Sequence, residues 1–188
     1  HQALRLSLAT LALPALRTLP GEQYEIFRDT LFFLAAADSE IDLSEYALLR
    51  MVTRNLDPLF RDVKQPIVQY YSLKGVREQC YALLGTLARF GNEEEDKAAF
   101  AFDKGLEQLG GLDREMLPPA EACTLEAFDH ALDTLAGSSP AIKKQLLDAC
   151  TACIAADGFL TVAEGELLRA TADSLDCPVP PLLDQQAA

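Results

Sequence analysis

Apolar residues recur along most of the chain at three- and four-residue intervals, the spacing that lines one face of an α-helix. Tyr24, Phe27, Leu31 and Leu34 make such a face in a segment expected over residues 21–37. The same reading gives a first helical segment over 3–18, kinked at Pro14, and a third over 42–55 that stops ahead of Asp57-Pro58. Further helices are expected over 76–90, 92–110, 124–136, 140–156 and 162–175. Ser139-Pro140 is a start signal, because proline is tolerated at the first helical position. Gly91 closes one helix, and Asn92 followed three residues later by Glu95 reads as a capping box for the next. The acidic run Glu93, Glu94, Glu95, Asp96 then complements the positive end of that helix dipole. Residues 59–74, which hold Pro66 and Tyr70-Tyr71, are the least regular, and an irregular connection is expected over about 58–75. The expected fold is all-α, one multi-helix domain over residues 1–188.

Composition agrees with this. The 188 residues include 33 Leu and 28 Ala but only 11 Val plus Ile, a choice that favours helix over strand. Charge narrows the partners: 29 acidic against 16 basic residues give a net charge of −13, which argues against a nucleic-acid partner. Five cysteines, an odd number, do not read as a secreted disulfide framework and point to a reducing compartment. The apolar N-terminal stretch is interrupted by Arg5, Pro14 and Arg17 and is shorter than the roughly 20 residues needed to span a bilayer. Beginning His-Gln-Ala, the sequence reads as part of a longer protein. Cys150-x-x-Cys153 lies in a helical segment and reads as core packing, while His130 has no nucleophile partner at sequence level. Nucleophile-elbow, phosphate-loop and dinucleotide motifs are absent, so the chain is expected not to be an enzyme in itself.

The most informative feature is an internal repeat. A shift of 119 residues lays Ala36-Ala37-Asp38 on Ala155-Ala156-Asp157, then Glu45 on Glu164, Leu48-Leu49-Arg50 on Leu167-Leu168-Arg169, and Leu56-Asp57 on Leu175-Asp176. That is nine identities over 22 ungapped positions. Each copy reads as helix, tight turn and helix, so a duplicated helical hairpin is expected, with copies over about 20–57 and 140–176 packed around Leu48, Leu49, Leu167 and Leu168.

The turns invite a metal reading. Residues 157–164, Asp-Gly-x-Leu-x-x-x-Glu, reproduce the last eight positions of a twelve-residue calcium loop. The first and third ligand positions, however, fall on Leu34 and Ala36 in one copy and on Cys153 and Ala155 in the other. Calcium takes six to eight oxygens, so a standard loop is disfavoured, and Asp38, Asp42, Glu45, Asp157 and Glu164 remain as candidates for a weak divalent-cation site. The structural reading of the same residues is capping, since Asp42-x-x-Glu45 and Thr161-x-x-Glu164 are both capping boxes.

The run from Ala155 to Arg169, Ala-Ala-Asp-Gly-x-Leu-Thr-x-x-Glu-x-x-Leu-Leu-Arg, resembles the helical hairpin of TerB-like domains. Together with Leu13-Pro14-Ala15-Leu16-Arg17, Tyr24-x-x-Phe27-Arg28, Asp42-Leu43-x-Glu45-Tyr46 and the stretch Ala172-Asp173-Ser174-Leu175-Asp176-Cys177-Pro178, it resembles the soluble C-terminal region of bacterial membrane-bound zinc peptidases of the HtpX and CAAX-prenyl-protease type. In that family an upstream His-Glu-x-x-His holds zinc and activates water. Only His1 and His130 occur here and neither lies in such a motif, so no catalytic residue carries over. The resemblance implies a non-catalytic regulatory domain, cytoplasmic and soluble, of an inner-membrane zinc metallopeptidase active in proteolysis. Zinc would belong to the parent, with no cofactor in this segment. Expected partners are the protein's own membrane and peptidase portions, a protein substrate or regulator, and a second copy in a homo-oligomer. The alternative is a TerB-like stress-response module that binds a divalent cation through its acidic turns.

Overall fold

The computed structural model describes residues 5–35, 43–63, 66–177 and 179. Along them run eight α-helices: α1 (Arg5–Leu16), α2 (Gly21–Ala35), α3 (Leu43–Phe60), α4 (Arg77–Gly91), α5 (Glu95–Gln108), α6 (Leu125–Ala136), α7 (Pro140–Ile154) and α8 (Val162–Ser174). No strand occurs among the described residues, and the chain is all-α. None of its described helices is long and apolar enough to cross a membrane.

Helix α4 forms the centre. Cys80, Leu83, Leu84, Leu87 and Ala88 are all buried, and α5, α6 and α7 pack around them. Each fully buried leucine contributes about 1.5–3 kcal/mol relative to an exposed one. Between α5 and α7 the approach is close because small side chains meet: a Cβ on Gly105 would stand 2.9 Å from the Cys153 Cβ and 3.0 Å from the Ala149 carbonyl oxygen. Cys150 and Cys153 therefore belong to the core, and burial pushes the Cys80 and Cys153 thiols up to about 12 and the Cys150 thiol upward as well.

Helix α3 links this core to a second, smaller one. Its Leu43 and Ala47 join the α4-centred core, whereas Val52 and Leu56 pack with Leu13 of α1 and Tyr24 of α2. Leu49, Leu167 and Leu168 are buried, and Leu48 is half-buried against the smaller cluster. Helices α2 and α7 have the same length and stand 119 positions apart at both ends, and α3 and α8 begin 119 positions apart.

Two local expectations are corrected. Helix α3 does not stop at Asn55 but runs through Asp57-Pro58 to Phe60. Proline in the last turn forfeits one hydrogen bond, while buried Leu56 and the Phe60 ring, stacked on Tyr24 at 4.3 Å, hold that turn to the protein. Nor do Asn92 and Glu95 form a capping box. Asn92 Nδ2 donates to the Ala88 carbonyl at the end of α4, and the Glu95 carboxylate is taken by both Nη atoms of Arg89 at 2.6 and 2.9 Å. A bidentate guanidinium outcompetes a single backbone N–H for the carboxylate.

Between α3 and the 3-10 turn Leu73–Val76 the described residues form no regular element. Tyr70 bridges in parallel to Ser138: Gln69 and Tyr70 N–H groups donate to the Gly137 carbonyl, and Ser139 N–H donates to the Tyr70 carbonyl at 2.9 Å. This stitch ties the irregular segment to the α6–α7 turn and makes it one wall of a cleft.

A charged cleft beside helix α3

An open cleft of about 500 Å³ lies between α3, the stitched segment and the C-terminal end of α6. Its charged residues are Arg50, Arg54, Asp57, Asp133 and Asp176, with Tyr70 among the groups opposite. Helical periodicity sets the α3 face, because Arg50, Arg54 and Asp57 follow one another at intervals of four and three. Asp129 and Asp133 stand four apart on α6 and meet that face from the other side.

Arg50 is saturated. Its Nε donates to Ser174 Oγ at 2.9 Å, Nη1 to Asp129 and to Tyr46 Oη, and Nη2 to Asp133 at 2.7 Å. Tyr46 in turn donates its hydroxyl to Asp129. One turn along, Arg54 Nε donates to the Asp173 carbonyl at 3.1 Å and Nη2 to Asp176 at 2.6 Å. Lys143, buried on α7, donates to the other Asp176 oxygen at 2.9 Å.

Asp176 follows α8 with φ 56°, a left-handed conformation that aspartate tolerates better than most residues. This bend closes α8, with the Cys177 N–H donating to the Ala172 carbonyl at 2.9 Å, and aims the carboxylate at both cations. Burial opposes its ionisation, yet the hydrogen bonds from Lys143 and Arg54 outweigh burial and hold the carboxyl below its ordinary range. Asp173 goes the other way: burial raises it, against the opposing pull of Arg54 and of the Asn55 hydrogen bond at 2.9 Å. At the far end Asp57 accepts the Tyr24 hydroxyl and pairs with Arg28 at 3.2 Å, both on one carboxylate oxygen. Burial, followed by that bond to Asp57, raises the Tyr24 phenol.

The charges are layered. The cations lie low, with 9 % of the Arg50 and 21 % of the Arg54 side chain exposed, while 66 % of Asp133 and 55 % of Asp176 are exposed at the rim. Among the described residues nothing donates to Oδ2 of Asp57 or Oδ2 of Asp133. With Arg28 on Asp57, Lys143 on Asp176 and Asp129 on Arg50 included, four cations are ion-paired with four aspartates. Asp133 is thus the one lining aspartate that is both well exposed and left with an open oxygen among the described residues.

Of the five residues singled out for metal, Glu45, Asp157 and Glu164 are among the described residues. Asp38 and Asp42 lie outside the described residues, and with them one of the two expected capping boxes. Glu45 sits in the first turn of α3. Asp157 accepts the Phe159 N–H at 2.9 Å, shaping the turn in which Gly158 takes φ 83°. Glu164 is buried in the capping box of α8: its Oε2 accepts the Thr161 N–H at 2.7 Å, and Thr161 Oγ1 accepts the Glu164 N–H at 3.2 Å. Among the described residues no group of three His, Cys, Asp or Glu is placed to hold a metal ion. The cleft itself was partly visible beforehand, since Arg50, Asp57 and Asp176 are all identities of the repeat and Asp129 and Asp133 share a helix face. Arg54 and Lys143 carried no such mark.

No family model matches the chain, and no curated protein or solved structure matches it either.

Proposed function

We propose that the chain is a non-catalytic interaction domain that receives a protein partner at the cleft beside α3. The observation that carries this reading is the layering of charge in that cleft, an ion-paired floor beneath an exposed rim of Asp133 and Asp176, with Oδ2 of Asp133 uncommitted among the described residues. The arrangement suits recognition, because the floor holds its shape by its own ion pairs while the rim attracts an incoming group.

The proposal extends to a parent: a membrane-bound zinc metallopeptidase of the HtpX type, with this domain on the cytoplasmic side and its task regulatory. The support is the residue pattern and the structural work those residues do. Tyr24 and Arg28 converge on Asp57, Phe27 packs into the smaller core, and Leu175, Asp176 and Cys177 close α8 at the cleft. The zinc, the His-Glu-x-x-His helix and the membrane spans belong to the upstream portion of that parent. Reading the gene upstream of residue 1 and measuring zinc in the purified full-length protein tests the parent. A His-Glu-x-x-His motif, apolar spans of about 20 residues and stoichiometric zinc are expected. Their absence overturns the assignment to a peptidase.

A further inference from the structure

We infer that a second copy of this chain packs on the outer face of α1, as an antiparallel helix pair about a two-fold axis that passes between Leu11 and Ala12. The inference goes beyond the cleft and the proposed parent and depends on neither.

Charge and burial single out α1. Residues 6–16 hold no charged side chain, the longest such run in the chain. The next longest, residues 79–88, lies inside α4, and none of its residues is exposed. Helix α1, in contrast, is covered on one side only. Leu6 and Leu13 are buried, and Ala9 and Leu16 pack on the smaller core. At 3.6 residues per turn Leu8, Leu11, Ala12 and Ala15 fall on the opposite side, where all four are exposed, Leu8 by 61 % and Leu11 by 78 %. A helix that is apolar all round belongs in an interior, so the bare side of α1 calls for a cover.

Charge and residue pattern identify that cover. Copies with a net charge of −13 repel one another over most of their surface and can close only on a face without charge. A helix that lies on lipid instead carries a polar face rich in Lys and Arg, which α1 lacks. The bare side is also self-complementary. A two-fold axis between residues 11 and 12 sets Leu8 against Ala15 of the second copy and Leu11 against Ala12 of the second copy, and each pair recurs in reverse, as an isologous contact requires. Every leucine then meets an alanine, and large against small lets the two helices approach closely. One pair of 12-residue helices is smaller than a standard interface of about 1,600 Å², so a dissociation constant in the micromolar range is expected.

Sedimentation equilibrium of the 188-residue chain between about 1 and about 500 μM tests this. The mass should rise with concentration from 20.5 kDa toward twice that value. Raising salt from about 50 to about 300 mM should tighten the dimer, because screening relieves the repulsion between copies. Leu11→Lys sets two like charges beside the axis and should abolish association. Leu11→Ala and Ala12→Leu should each weaken it about tenfold, and the double variant, which exchanges large and small within the same pair, should return to within about twofold of wild type. Met116→Ser, at an exposed apolar position outside α1, should leave association unchanged. Positions 11 and 12 are exposed, so these variants retain the fold, which a melting curve verifies. A monomer at every concentration, a dimer that survives Leu11→Lys, or a double variant no tighter than the two single ones would each overturn the inference. So would binding to neutral phosphatidylcholine vesicles in place of self-association, which assigns the face to lipid. None of these outcomes depends on zinc content or upstream sequence, so the parent assignment stands or falls separately.

Discussion

Arg54 and Asp173 stand 119 positions apart, and Arg54 Nε donates to the Asp173 carbonyl at 3.1 Å. The 119-residue shift lays one of these residues on the other, and α3 meets α8 at that point. The pairs behind them follow suit: Tyr24 donates to Asp57, and 119 positions later Lys143 donates to Asp176. If the two stretches are copies of one hairpin, a two-fold arrangement of them would bring equivalent positions together near its axis. On that reading α7 with α8 should overlay on α2 with α3 in the 119-residue register. An overlay that requires a shift of one or more residues would reject a duplicated unit.

Asp176 should resist simple truncation. Asp176→Ala removes the partner of two cations and places a residue that disfavours φ 56° at the end of α8, so a loss of about 1–3 kcal/mol is expected in urea unfolding. Asp176→Gly relieves the backbone but still leaves Lys143 buried without its carboxylate, and should recover only part of that loss. Full recovery in the glycine variant would show that the ion pairs contribute nothing.

Acid should act on the same carboxylate. Its folded-state pKa lies below the unfolded value, so its contribution is present above the ordinary carboxylate range and is lost as pH falls through the folded pKa. Asp173 has the opposite sign: its raised pKa makes the folded state bind the proton more readily, so stability falls as pH climbs through the window above 3.8. Asp173→Asn, which keeps an acceptor for Asn55, should raise the melting temperature at pH 7 and have less effect near pH 3. A lower melting temperature at pH 7 would contradict the burial argument.

The α7–α8 turn should behave as a cap. Thr161→Ala is expected to cost about 1 kcal/mol by removing the acceptor for the Glu164 N–H. Millimolar calcium, magnesium, manganese or zinc should leave the melting temperature of wild type unchanged. A site filled a hundredfold above its dissociation constant would instead add about 2.7 kcal/mol, and loss of that gain in Asp157→Ala plus Glu164→Ala would restore the metal reading.

Gly105 should not tolerate bulk. Gly105→Val drives a side chain into Cys153 and the Ala149 carbonyl, and about 1–3 kcal/mol of overpacking strain is expected in thermal unfolding. A neutral result would mean that α5 and α7 move apart freely.

Helix periods and capping residues were legible because they are local. The 3.6-residue pattern marked each of the eight α-helices among the described residues, and Thr161-x-x-Glu164 marked the start of α8. What escaped was decided at a distance. Asp57-Pro58 looks like a helix stop until Phe60 is seen stacked on Tyr24, and Asn92 looks like a cap until Arg89 takes Glu95. The cleft escaped for the same reason, since Lys143, Arg54 and Asp176 come from three elements and only the fold brings their charges together.

On the proposal made above, this domain selects a protein partner for a peptidase parent and leaves the chemistry to the rest of that protein. The direct measurement compares the full-length protein with a version lacking residues 1–188, reading turnover of a small fluorogenic peptide, turnover of a folded protein substrate, and bound zinc. Truncation should leave zinc content and small-peptide turnover within about twofold and cut turnover of the folded substrate about tenfold. Loss of zinc and of small-peptide turnover together would place this domain inside the catalytic core and contradict the account.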